Sequence, residues 1–136
     1  MNKIRNYGKK EKSTADIIIG MEKKAWKKWS KGDPSGFTDI FGKEITYFDP
    51  WTIGRLDGLK YVSGIFEKLR GLINLKNFTM IDPKVQNMEN TAVLTYNLLL
   101  DSGFSEEKWN CTEIYQKKDN KWEIIHTHCS FVRPDL

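Results

Sequence analysis

The chain's two histidines, His126 and His128, stand two residues apart in the stretch 122–130, Trp-Glu-Ile-Ile-His-Thr-His-Cys-Ser. Side chains alternate faces along an extended strand, which puts Trp122, Ile124, His126, His128 and Ser130 together on a face that is half apolar and half polar. The stretch follows a β-rich run, 109–118, across Asp119-Asn120, and a two-residue turn of this kind closes an antiparallel hairpin. A regular ladder centred on that turn places Glu113 opposite His126 and Cys111 opposite His128. A carboxylate facing an imidazole orients it as a general base, clamps a ligand, or forms a satisfied polar pair, and it holds the histidine pKa up. Glu113 and His126 are therefore the candidate catalytic pair. Two histidines and one carboxylate fall short of a closed zinc site, so no metal is expected. The same register gives Cys111 and Cys129 opposite parity, which predicts reduced thiols rather than a disulfide.

These residues need a sheet to hold them, and the hydrophobic period supplies one. From Leu75 onward it is two: 77–88, 91–100, 108–118 and 121–132 read as four strands linked by turn residues at Glu89-Asn90, Ser102-Gly103 and Asp119-Asn120. Upstream the period is helical. Ser13 with Asp16 three residues on reads as a helix start, and Ile18, Met21, Ala25 and Trp29 recur at helical spacing until Gly32. Asp33-Pro34 opens a second, shorter helix. Residues 45–48 form a short strand cut off by Asp49-Pro50, and Asp57-Gly58 opens a third helix with Leu59, Val62, Phe66 and Leu69 on one side. Helices followed by hairpin-linked strands predict an α+β fold with an antiparallel sheet. Both faces of 91–100 carry apolar residues, so helices should cover one face and a second copy of the chain the other.

A length of 136 residues suits one domain with room for a core and a cavity, and 39% hydrophobic with 12% aromatic residues suits a folded one. The net charge of +4 is carried by Lys3, Arg5, Lys9, Lys10 and Lys12 against Glu11. This marks 1–12 as a basic tail and 13–136 as a neutral domain. Without a basic stripe interleaved with aromatics on the sheet, no nucleic-acid partner is expected. No apolar run approaches the roughly 20 residues of a membrane span, and the first residues lack the apolar segment of a secretory signal. No membrane partner is expected, and a cytoplasmic location is the default, left open to a leader removed beforehand.

Gly32-Asp33 after the first helix, Tyr47-Phe48-Asp49-Pro50, the Asp57-Gly58 helix start and the closing 122–130 stretch together resemble the nuclear transport factor 2-like superfamily. Within it the chain is most similar to the SnoaL-like branch and to the association domain of calcium/calmodulin-dependent protein kinase II, over residues 13–132. The resemblance implies a cone-shaped α+β fold whose curved sheet and about three helices enclose one pocket, commonly in a homodimer. It does not imply one reaction. Five tryptophans are generous for a domain of this size, and aromatic walls with a few polar groups hold small, partly apolar molecules. The favoured expectation is a small-molecule-binding domain lined by Tyr47, Trp51, Tyr96, Asn110, Tyr115 and His128 beside the Glu113–His126 pair. The first alternative is a cofactor-free isomerase, cyclase or dehydratase in which Glu113 orients His126 as base and a tyrosine or Asn110 stabilises an oxyanion. The second is a dimeric assembly domain without catalysis. None of these readings calls for a cofactor.

Overall fold

Ser13 caps the first helix: its hydroxyl accepts the backbone N–H of Asp16 at 3.1 Å. The helix, α1 (Thr14–Ser30), turns Ile18, Glu22, Ala25 and Trp26 inward. Gly32, at φ 84°, ends it. The Asp33 carboxylate then accepts both the N–H and the hydroxyl of Ser35, which opens the single-turn α2 (Ser35–Thr38). The computed structural model describes residues 11–134, so all of the predicted basic tail except Glu11 and Lys12 lies outside the described residues. The remaining elements are β1 (Phe41–Phe48), β2 (Leu56–Asp57), α3 (Leu59–Glu67), β3 (Asn77–Met88), β4 (Thr91–Asp101), β5 (Glu106–Lys118) and β6 (Lys121–Phe131). Among the described residues no helix is long and apolar enough to cross a membrane.

The strands form one open, curved sheet in the order β2-β1-β6-β5-β4-β3. The three hairpins from β3 to β6 are antiparallel, as their turns predict. The first strand corrects the purely antiparallel expectation. It runs Phe41–Phe48, four residues earlier than the Ile45 start read from sequence, and joins β6 in parallel, with Thr46 beside His126 and Phe48 beside His128. A connection as long as the one through β2, α3 and the meander permits parallel pairing, which a tight turn forbids. On β4 the inner residues Ala92, Leu94, Tyr96, Leu98 and Leu100 are buried. Val93, Thr95 and Leu99 on the outer face are half-buried, and Asn97 is exposed.

Besides a register slip of β1 against β6 between Phe41 and Thr46, two bulges in the meander bend this sheet. At Asp82-Pro83 the β3 register slips against β4, with Asp82 at φ 49°. The second bulge lies in β6. The turn at Asp119-Asn120 has both residues at positive φ, 52° and 61°, as a type I′ turn requires, and pairing is regular from Lys118–Lys121 to Tyr115–Ile124. Ile125 is then an extra residue, and the ladder resumes with Ile114 opposite His126. Every side chain beyond it changes face relative to a regular ladder. Glu113 therefore pairs with Thr127, not His126, and Cys111 with Cys129, not His128. The two cysteines share a face after all, and both are free thiols.

The helices lie across the inner sheet face with aromatic rings between them. Trp26 meets Phe37 edge-on at 4.9 Å, and Trp29 meets Phe66 at 5.1 Å. α2 seats against α1 because Gly36 has no side chain. A Cβ there would stand 2.6 Å from the Ala25 carbonyl oxygen and 2.9 Å from Lys28 Cβ. Backbone cannot yield as a flexible side chain does, so Gly36→Ala should cost about 1–3 kcal/mol, read as a lower urea midpoint with an unchanged slope.

Candidate functional site

The inner sheet face and the helices enclose a cavity of about 570 Å³. Trp26 and Trp29 of α1, Phe37 of α2, Phe41 and Tyr47 of β1, and Ile65 and Phe66 of α3 supply one wall. Tyr96 and Leu100 of β4, Trp109 and Glu113 of β5, and Thr127 and Cys129 of β6 supply the other. Exposed Trp51 and Leu72 mark the mouth. A second hollow beside α3, about 640 Å³, opens to solvent and has no buried polar residue in its lining.

Two acids lie buried in the cavity floor, Glu22 at 0% and Glu113 at 1% exposure. Glu22 is served by hydroxyls: Tyr96 Oη donates to Oε2 and Tyr115 Oη to Oε1, each at 2.5 Å, while Trp26 Nε1 donates to Tyr96 Oη at 2.8 Å. Burial, and next the Glu22 charge, push both tyrosine pKa values well up, so they remain donors. Burial also raises Glu22, against the lowering effect of neighbouring Glu113 and of the two tyrosine hydroxyls. Glu113 differs. Both of its oxygens are buried without a hydrogen-bond partner, as are Thr127 Oγ1 and Trp109 Nε1. Thr127 and Glu22 stand close enough to act on its proton without completing a bond of good geometry. Burial first, and Glu22 second, hold the Glu113 pKa well above the ordinary carboxylate range. Two carboxyls in one apolar site cannot both ionise cheaply, which favours a proton held on the pair over full ionisation.

Nearer the mouth, Tyr47 Oη donates to Asp49 Oδ2 at 2.8 Å, and its pKa is pushed well up by burial and then by the Asp49 charge. The other Asp49 oxygen accepts the N–H groups of Trp51 and Thr52, which fastens the rim turn to β1. On the floor, Cys129 has its thiol pKa raised well above the usual value, first by its hydrogen bond with Cys111 and then by burial.

Of the residues singled out from sequence, Tyr47, Trp51, Tyr96 and Glu113 line the cavity, and Tyr115 stands behind Glu22 as its second donor. Asn110, His126 and His128 do not line it. Asn110 lies on the outer face, where its Oδ1 accepts from Asn97 Nδ2 at 2.8 Å. His126 is also outside, with Nδ1 2.7 Å from Thr46 Oγ1 and its ring 6.0 Å from Phe48. Its pKa is lowered, by burial and next by neighbouring His128, where pairing with Glu113 would have raised it. The facing Glu113–His126 pair therefore does not exist in this fold, because the Ile125 bulge separates its members. Sequence reading missed Glu22, Trp109, Thr127 and Cys129 as cavity residues. The helical stripe 18–22–25–26 contained the signal for Glu22; the other three needed the bulge or the sheet curvature.

Residues 14–132 match the sequence model of the calcium/calmodulin dependent protein kinase II association domain. The chain belongs to this family. The association domain here is 30% identical to the calcium/calmodulin-dependent protein kinase type II alpha chain of Drosophila melanogaster over 93% of its own length, but it spans only 26% of that protein. Among solved structures it is similar to a protein from Parabacteroides distasonis provisionally named a ketosteroid isomerase, with 36% identity, a TM-score of 0.82 and coverage of 90% of this chain and 91% of that one. A nuclear transport factor 2-like protein of unknown function from Pseudomonas putida, 17% identical over 90% of this chain and 88% of that one, superposes with a TM-score of 0.78. The hub of the S. rosetta kinase, 19% identical over 90% of this chain and all of that one, gives 0.72. These last two show the fold alone, and they bear out the cone-shaped α+β architecture.

The two floor acids link stability to pH. Their folded pKa values lie above the ordinary 4.5, so the folded chain holds protons that the unfolded chain has already released. Stability is then full below that value and falls as pH rises through the raised pKa. The melting temperature should be higher at about pH 5 than at about pH 8, and Glu113→Gln should flatten the difference.

Proposed function

We propose that this association domain binds a small, largely apolar molecule in the cone cavity, with the ligand's polar end at Glu113, Thr127 and Trp109. One observation carries this reading. Three side chains that face the same aromatic cavity keep buried polar atoms without partners. Each such atom costs about 1–3 kcal/mol when left unpaired, and a ligand that completes those bonds recovers it. A screen of small aromatic molecules by saturation-transfer NMR should yield binders that quench tryptophan fluorescence, since Trp26, Trp29 and Trp109 line the cavity. Cys129→Phe, which fills the floor, should abolish their binding. Binders that survive this substitution would occupy another site, and the cavity reading would fall.

A second reading, a cofactor-free isomerase or dehydratase, is favoured by the raised pKa of Glu113, which burial and then the Glu22 charge push up. A carboxylic acid kept neutral in a water-poor site donates a hydrogen bond to a developing oxyanion. The provisional name of the Parabacteroides relative supports it. Glu113 would then act without His126.

Either activity is compatible with a homodimer through the outer sheet face, where Val93, Leu99 and Ile114 are only half-buried and Ile81 is 47% exposed. The hub name of the S. rosetta structure supports self-association. Light scattering should give a mass of at least twice the 15.9 kDa of one chain, and Leu99→Lys on that face should reduce it.

A further inference from the structure

Resting on the reading of the cavity as a ligand site, we infer that the occupant is an organic cation: a protonated amine or ammonium group on an apolar, ring-bearing body. The first argument is charge. Among the described residues Glu22, Asp49, Glu107 and Glu113 line the cavity, and no lysine, arginine or histidine does. Half-buried Asp49 and Glu107 stand toward the mouth, while the other two acids form the floor. An anion would be repelled at entry and again at the floor, and low-dielectric walls strengthen both interactions.

The second argument is hydrogen-bonding capacity. The Glu113 carboxyl, 1% exposed, presents two oxygens that no described residue bonds with good geometry, and the Thr127 oxygen beside it likewise lacks such a partner. An ammonium head has up to three donors and no acceptor, which complements such a floor. Trp109 Nε1–H, an orphan donor, asks for an acceptor such as a hydroxyl or ether oxygen elsewhere on the ligand. Each Glu22 oxygen already accepts a tyrosine hydroxyl, whereas neither Glu113 oxygen has a partner of good geometry, so the incoming charge is directed to Glu113.

The third argument is the balance of buried charge. Burial of both acids, and the Glu22 charge acting on Glu113, favour a proton held on the pair over full ionisation. A cation supplies the counter-charge in its place, and the displaced proton leaves to solvent. Paired and hydrogen-bonded in this way, the buried carboxylate becomes tolerable, whereas alone it is not. The aromatic walls add apolar contact for the body and ring faces that attract cations.

Isothermal titration of the full chain with naphthylethylamine, naphthylethanol and naphthylacetate tests this, since the three differ chiefly in the charge of the head group. The amine should bind at least about tenfold more tightly than the alcohol, with the acetate weakest. Glu113→Gln, checked for folding by circular dichroism, should lower the amine's affinity to the alcohol's level. The proposal is overturned if the alcohol or the acetate equals the amine, or if the amine's advantage survives in a folded Glu113→Gln. Should that variant not fold, the wild-type ranking decides alone. Binding of the alcohol without preference for the amine defeats the cation assignment and spares the cavity reading. Binding of none of the three defeats both.

Discussion

Side chains on a strand have two directions to choose from, so the extra residue at Ile125 exchanges the faces of everything that follows it in β6. Without that bulge the floor would hold two imidazoles beside Glu113. With it the floor holds a hydroxyl and a thiol, and the imidazoles stand on the outer face beside Phe48. The same slip sets Cys129 directly opposite Cys111 and brings Thr127 to Glu113. It also adds local twist to β6, and the sheet must curve for a cavity to survive between it and α1.

The interior then treats its two acids differently. Glu22 comes from a helix and reaches two tyrosines of adjacent strands, so its carboxyl is held from both sides. Glu113 comes from the sheet itself, and its neighbours on that face are Thr127, Cys111 and Cys129, which offer weak or badly aimed donors. The first acid is a cross-link between layers. The second is a polar group that the fold buries without satisfying, a deficit that stability alone would remove.

The elements themselves were legible because each is bounded by local chemistry. The Ser13 cap, Gly32, Asp33-Pro34 and the turns at Asp119-Asn120 and Ser102-Gly103 act within a few residues, and the helices and meander strands begin and end close to them. What escaped notice depends on distant partners. Ile125 carries no glycine or positive φ to announce a bulge, since one more β-branched residue in a β-branched run looks like regular strand. Glu22 sits in Met-Glu-Lys-Lys, which reads as a solvated face until Tyr96 and Tyr115 are known to lie above it. The parallel pairing of β1 with β6 joins residues 80 apart, as between Thr46 and His126, and no local pattern encodes it. Thus the architecture was readable, while of the cavity only Tyr47, Trp51, Tyr96 and Glu113 were, and the rest of its aromatic wall and polar floor were not.

The open sheet leaves two outer strands, and both are poor templates for further strands. At one margin β2 is two residues long. At the other, β3 is interrupted by its own bulge at Asp82 and by Pro83, which has no N–H to offer, followed at once by Lys84. Margins built this way discourage the lateral addition of strands from neighbouring copies, so a partly apolar sheet face can stand open without seeding a growing edge.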